Sequence, residues 1–138
     1  MDRNQEVRIY NFIEDDEFDQ LLFKKAIENI HIKKDIKIEY VAHMTTEALL
    51  QYGSFENSRS VFIFDISIAG STSYNFLVEN LMVLKEFPVF ILTSSDNPAD
   101  KKRYLELGVV TEFFLKPFFV HDLEQIILRI WELAEADE

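Results

Sequence analysis

Val61-Phe62-Ile63-Phe64 sets four apolar residues in a row and then stops on an acid, Asp65. A strand with one wet face alternates apolar and polar side chains. A short, uniform run rich in β-branched and aromatic residues suits a strand covered on both faces. Val89-Phe90-Ile91-Leu92 repeats the pattern and stops on Thr93. With a helical stretch between them, over about 73–86, the two runs imply a parallel sheet whose crossovers are helices.

The rest of the chain extends this alternation. Val7 to Ile13 is a strand, and a helix over about 16–30 follows, with Phe18, Leu22, Ala26 and Ile30 at a spacing of four. Ile36 to Val41 alternates apolar and polar, as a half-exposed edge strand does. A short helix over about 45–52 comes next. Beyond the second apolar run, Pro98 opens a helix that Gly108 ends as a C′ residue. Phe113-Phe114-Leu115 is a last strand, and Val120 to about Ala134 a closing helix with Leu123, Ile127 and Ile130 on one stripe. Five β–α units with short connections predict an α/β, doubly wound sheet with helices on both faces. No repeat or linker divides the sequence, so residues 1–138 are expected to form one unit with its core at about 7–134.

Composition narrows the function. A chain of 138 residues with 13 Phe can bury a real core. No apolar stretch nears the roughly 20 residues that cross a bilayer, and no charged-then-apolar leader opens the chain. With no Cys there is no disulfide framework and no thiolate ligand or nucleophile. These features predict a soluble cytoplasmic protein. A net charge of −11 argues against nucleic acid as a partner and for basic partners or a site that gathers cations. His31, His43 and His121 share no ligand spacing.

Open α/β sheets bind ligands at the carboxyl ends of their strands. The first strand ends in Glu14-Asp15-Asp16, the third in Asp65, the fourth in Thr93-Ser94-Ser95, and the fifth in Lys116-Pro117. Acids at a helix start also cap N–H groups and complement the macrodipole, which accounts for Asp16 and Glu17. Carboxylates, a hydroxyl and an ammonium on one rim are the parts of a phosphoryl-transfer site. An aspartate can attack phosphorus if cations offset the charge repulsion, and Mg²⁺ takes hard oxygen ligands.

The ordered set "FIEDDE", "VFIFD", "FPVFILTSS" and "FFLKPF" resembles the response-regulator receiver domain, the CheY-like family of two-component signalling, over about 7–134. The resemblance implies a flavodoxin-like (βα)5 three-layer sandwich with parallel strand order 2-1-3-4-5. It implies Asp65 as phosphoacceptor, and Mg²⁺ held by Asp15, by Glu14 through water, by Asp65 and by the Ser67 backbone carbonyl. Thr93 would be the switch hydroxyl, Lys116 the phosphate-pairing cation, Phe113 the aromatic switch, and Lys116–Pro117 a cis peptide. The phosphoryl donor would be a histidine kinase or phosphotransfer protein. The chain would be a self-phosphorylating, self-dephosphorylating signalling receiver, not an enzyme acting on a separate substrate. With no further domain after the last helix, output would pass to a downstream protein. Trp131, Leu128, Phe118 and Phe119 would contribute to a partner face or to a homodimer through the last strand and helix.

Three features depart from the family pattern. Ala69 stands where a proline is expected and Ser73 where a glycine is expected; the segment 108–113 is one residue longer than usual before the last strand; and Asn11 interrupts an apolar strand. The altered loop keeps a second reading open, a phosphorylation-independent pseudo-receiver that acts as a protein-interaction module. An aspartate-based phosphatase would want an acid where Ser67 stands. A flavin carrier would want a hydroxyl- and glycine-rich loop after the first strand.

Overall fold

The two apolar runs lie side by side in the middle of a parallel sheet. The computed structural model describes residues 7–136; of the unit expected over 1–138, residues 1–6 and 137–138 lie outside the described residues. Along the chain come β1 (Val7–Ile13), α1 (Glu17–Lys33), β2 (Lys37–His43), α2 (Thr46–Tyr52), a 3-10 turn (Ser54–Glu56) and β3 (Ser60–Phe64). A small hairpin of β4 (Ser67–Ile68) and β5 (Ser71–Thr72) follows, then α3 (Ser73–Glu79) and α4 (Leu81–Leu84). The chain closes with β6 (Val89–Thr93), α5 (Pro98–Leu105), β7 (Val110–Leu115) and α6 (Val120–Ala136). The main sheet runs β2-β1-β3-β6-β7, all parallel, which is the flavodoxin-like order 2-1-3-4-5 of its five strands. No helix among the described residues is long and apolar enough to cross a membrane.

Alternation inside the apolar runs divides the core into two. Val61 and Ile63 pack towards α1 and α6, with Tyr10, Phe12, Phe90 and Leu92. Phe62 and Phe64 point the other way, with Ile13, Val89 and Ile91, against Leu49 of α2, Phe76 and Leu77 of α3, Leu84 of α4 and Tyr104 of α5. Each central strand therefore needs apolar side chains at every position, since successive residues enter opposite layers.

Some elements differ from the sequence reading. In α1 the buried stripe is Gln20, Phe23, Ala26, Ile27 and Ile30, while Phe18 is exposed. A spacing of four drifts about 40° per step round a helix of 3.6 residues per turn, so Phe18 rotates off the face that Ile30 buries. The helix expected over 73–86 is broken at Asn80, whose side-chain amide donates to the Phe76 carbonyl at 2.8 Å and competes with the helical ladder. Gly108 has φ +80 but lies beyond the helix end, in the turn into β7. Trp131 is buried beneath the Arg8 guanidinium, 5.5 Å from its ring centroid, so it belongs to the core and not to a partner face.

The two remaining irregularities each have a physical account. Asn11 is fully buried, and its amide donates to the carbonyls of Val61 (3.2 Å) and Ile9 (3.3 Å). Its Oδ1 accepts from the Ser54 hydroxyl at 2.7 Å and from His43 Nε2 at 3.0 Å. An amide oxygen only accepts, so His43 carries its proton on Nε2. The network ties β1, β2 and the turn before β3 together. The extra residue is Thr111, absorbed as a bulge near the start of β7: Val89 pairs with Val110, and Phe90 with Glu112.

Candidate functional site

The strand order sets the site. β1 and β3 are neighbours, so Ile13 pairs with Phe64, and the Asp65 N–H donates to the Ile13 carbonyl at 3.2 Å. β6 and β7 are neighbours too, and the Lys116 N–H donates to the Thr93 carbonyl at 2.7 Å. Glu14, Asp65, Thr93 and Lys116 thus leave adjacent strands at the carboxyl edge of the sheet. Thr93 is buried, and its Oγ1 accepts from the Ser95 N–H at 3.4 Å.

Lys116 closes the cluster. Its ammonium reaches past β6 and donates to Asp65 Oδ2 at 2.9 Å, to Asp19 Oδ2 at 2.7 Å, and to Glu14 Oε1. Glu14 is 1 % exposed. Burial, helped by the negative charge of Asp65, pushes its carboxyl up to about 8, against the pull of Lys116. Burial alone would favour a neutral Lys116, but its hydrogen bonds to Asp19, Glu14 and Asp65 outweigh that and raise its pKa. The ammonium is held charged among acids that need it.

The neighbouring groups are fixed by backbone. Gln20 of α1 donates its amide to the carbonyls of Phe12 (3.2 Å) and Glu14 (2.9 Å), which anchors the end of β1. Asp16 is the N-cap of α1 and accepts from the Asp19 N–H at 3.0 Å. Asp65 Oδ1 accepts from the Ile66 N–H at 2.7 Å. Asp15 accepts the Ala69 N–H at 2.8 Å, and this bond, helped by Glu14 and the charge of Lys116, holds its carboxyl below the ordinary value.

The loop after Asp65 is a tight hairpin. Ser67 pairs with Thr72 and Ile68 with Ser71, leaving Ala69 and Gly70 as the connection, with φ of +53 and +78. Two positive φ values are the sign pattern of a type I′ turn. Proline, locked near −65°, cannot occupy position 69 in this geometry. Ser73 takes up the other altered position: its N–H donates to the Ile66 carbonyl at 2.8 Å and its hydroxyl to the Asp65 carbonyl at 2.5 Å.

Of the residues expected at the site, Lys116 joins Glu14 and Asp65, Thr93 ends the neighbouring strand, Asp15 and Ser67 lie in the connections that follow β1 and β3, and Phe113 lies within β7. Phe113 is buried, opposite Ile91, with its ring centroid 6.2 Å from that of Tyr104. One expectation is overturned. No peptide bond among the described residues is cis, so Lys116–Pro117 is trans. Trans is the lower-energy isomer of an X–Pro bond, and in it the Lys116 N–H and ammonium already find their partners. The residues missed were Asp19, Gln20, Ser73 as a hydrogen-bond donor, and Tyr104. Asp19 lies one helical turn beyond Asp15 and Asp16, a spacing that could have flagged it.

The donors are hard oxygens, as Mg²⁺ prefers, and three carboxylates already converge on one positive charge. The acids therefore suit a cation in kind. Their present arrangement centres on Lys116, and no three of the described Asp, Glu or His side chains are grouped as a metal site.

Solved structures that share this backbone include response-regulator receivers. The phosphorylated cyanobacterial phytochrome response regulator RcpA matches with a TM-score of 0.75 and 20% identity, over 96% of this chain and 97% of its own. The Mn²⁺-bound form of response regulator Rcp1 matches at 0.70 and 21% identity, over 89% and 91%. The chemotaxis response regulator CheY4 of Vibrio cholerae matches at 0.66 and 20% identity, over 91% and 99%. No family model and no curated protein matches the sequence. At these identities the likeness is one of fold: the chain has the CheY-like, flavodoxin-like receiver fold.

Proposed function

We propose that this receiver-fold chain is the phosphoacceptor of a two-component relay. Asp65 takes a phosphoryl group from a histidine kinase or phosphotransfer protein, and the modified rim switches a protein-binding surface. The observation that carries the reading is Lys116, which crosses β6 to hold the Asp65 carboxylate at 2.9 Å. An Asp65 oxygen attacks the phosphorus of a phosphohistidine, the P–N bond breaks, and the imidazole leaves with the electron pair and takes up a proton. An acyl phosphate remains on Asp65. Lys116 pairs with one phosphoryl oxygen and the Thr93 hydroxyl donates to another. Mg²⁺, when bound by Glu14, Asp15, Asp65 and the Ser67 carbonyl, supplies the remaining neutralising charge. That one neighbouring fold was solved phosphorylated and another with Mn²⁺ supports the reading.

Water hydrolyses the acyl phosphate, so the chain resets itself and is a signalling receiver of the cytoplasm, not an enzyme with a separate substrate. A downstream protein would find Phe118, 96 % exposed, and Phe119 beside the site. A homodimer through β7 and α6 would form without Trp131, which is buried.

The test is intact mass after incubation with Mg²⁺ and a small-molecule phosphodonor. Wild type gains one phosphoryl group and Asp65→Asn gains none. The second reading, a phosphorylation-independent interaction module, is favoured by the Asp15–Ala69 contact, which engages one oxygen of an expected metal ligand with the loop backbone. A folded wild type that takes no phosphoryl group from any donor selects it.

A further inference from the structure

Ser73 and Tyr104 tie the backbone of Asp65 to α5, and neither belongs to the acidic rim. The Ser73 Oγ is 2.5 Å from the Asp65 carbonyl oxygen and 2.9 Å from the Tyr104 hydroxyl oxygen. A carbonyl oxygen can only accept, so the one Ser73 hydroxyl proton goes to Asp65, and Tyr104 must donate to Ser73. The Thr72 hydroxyl, 3.3 Å from the Tyr104 oxygen, then donates to Tyr104. The result is a chain running one way, Thr72 to Tyr104 to Ser73 to the Asp65 carbonyl, in which each donor polarises the next.

The inner links are sealed from water, and only Thr72, half-buried, stands at the outer end. Ser73 and Tyr104 are both 0 % exposed, so a broken link leaves a buried group unsatisfied. The Tyr104 ring is also fixed on two sides, edge-on to Tyr74 at 5.4 Å between centroids and beside Phe113 at 6.2 Å. The Arg103 guanidinium lies 3.9 Å over the Tyr74 ring and presses the same packing together. A shift of α5 therefore moves the hydroxyl that sets Ser73, and through it the Asp65 backbone.

We infer that Tyr104, acting through Ser73, is a positioning residue for the Asp65 nucleophile, and that this hydrogen-bonded chain couples α5 to the modification of Asp65. The inference rests on the phosphoacceptor reading above. A glycine at position 73 could not form this link, so the chain comes with the serine.

Tyr104→Phe removes one oxygen and keeps the ring; Ser73→Ala removes the middle link. With Mg²⁺ present, each is expected to weaken beryllofluoride binding by about three- to ten-fold, the scale of one hydrogen bond. The double variant should be no weaker than the worse single, because a chain is broken once by either change. Without Mg²⁺ or beryllofluoride, Tyr104→Phe should speed amide exchange at Ile66 and Ser73 and leave α6 protected. Unchanged affinity in both single variants, losses that add in the double, or unchanged exchange at residues 66–73 each overturns the inference. If wild type itself does not bind beryllofluoride, the phosphoacceptor reading falls, and the exchange result alone decides whether Tyr104 positions the loop.

Discussion

The Asp15 carboxylate accepts the Ala69 N–H at 2.8 Å, so an acid from the first β–α connection pins the hairpin that follows the third sheet strand. The hairpin holds Ala69 at φ +53, a left-handed conformation that crowds Cβ against the backbone at a cost of about 1–2 kcal/mol. Ala69→Gly relieves the crowding but gives the unfolded chain more freedom. A net gain of about 0.5–1 kcal/mol in urea unfolding is expected. Ala69→Pro forbids the conformation and deletes the N–H that Asp15 accepts, and a loss of about 2 kcal/mol or more is expected.

Removing the ammonium that three acids share should cost far more. Lys116→Met leaves Glu14 and Asp65, both buried, without their cation. A drop of about 3 kcal/mol at pH 7 follows from breaking a buried ion pair on one side. The loss should grow between pH 7 and pH 9, where Glu14, pushed up to about 8 by burial, ionises beside Lys116 in wild type but has no cation to meet in the variant. A loss equal at both pH values would mean that the acids do not depend on Lys116 for neutralisation.

Two acids that look alike in the sequence should separate on mutation. Asp16 accepts the Asp19 N–H as N-cap, whereas Glu17 begins the helix and acts on its dipole alone. Asp16→Ala is expected to lower stability by about 1 kcal/mol. Glu17→Ala should lower it by a few tenths. Thermal or urea unfolding of the pair resolves the difference.

Burial pushes His43 down to about 4 from 6.5. A base whose folded value is depressed contributes stability that is complete above its unfolded value and is lost as pH falls through the folded one. The loss therefore runs from about 6.5 down to about 4. Glu14, raised from 4.5 to about 8, works the other way: its contribution is full below 4.5 and fades as pH rises through about 8. His43→Gln keeps an amide donor for Asn11 but cannot titrate. The difference between its urea midpoint and that of wild type should grow from pH 6.5 to pH 4, in favour of the variant. A difference independent of pH would show that His43 does not titrate in this window.

Sequence periodicity captured the sheet because Val61–Phe64 and Val89–Leu92 feed two layers at once, and few other patterns would do so. It captured the rim because strand ends carry the polar residues of an open sheet. What it missed depends on long-range partners. Nothing local to Gln20 distinguishes a solvated helix residue from one that grips the carbonyls of Phe12 and Glu14. Tyr104 reads as core, and its hydroxyl acquires a role only because α3 brings Ser73 to it. The break at Asn80 was hidden because Asn tolerates helices and becomes a stop only when its side chain takes a backbone carbonyl.

The bulge at Thr111 keeps chain length and site spacing independent. Val110 and Phe113 are three positions apart yet face the same layer, because the extra residue resets the inside–outside alternation before the strand reaches the rim. Excising Thr111 would restore a plain ladder with the same partners, Val89 with Val110 and Phe90 with Glu112. Phe113 would still point inward, and Lys116 would still emerge beside Thr93. An insertion in the last strand is thus silenced at the end of the sheet remote from the chemistry, and the fold can vary there without disturbing the residues that meet Asp65.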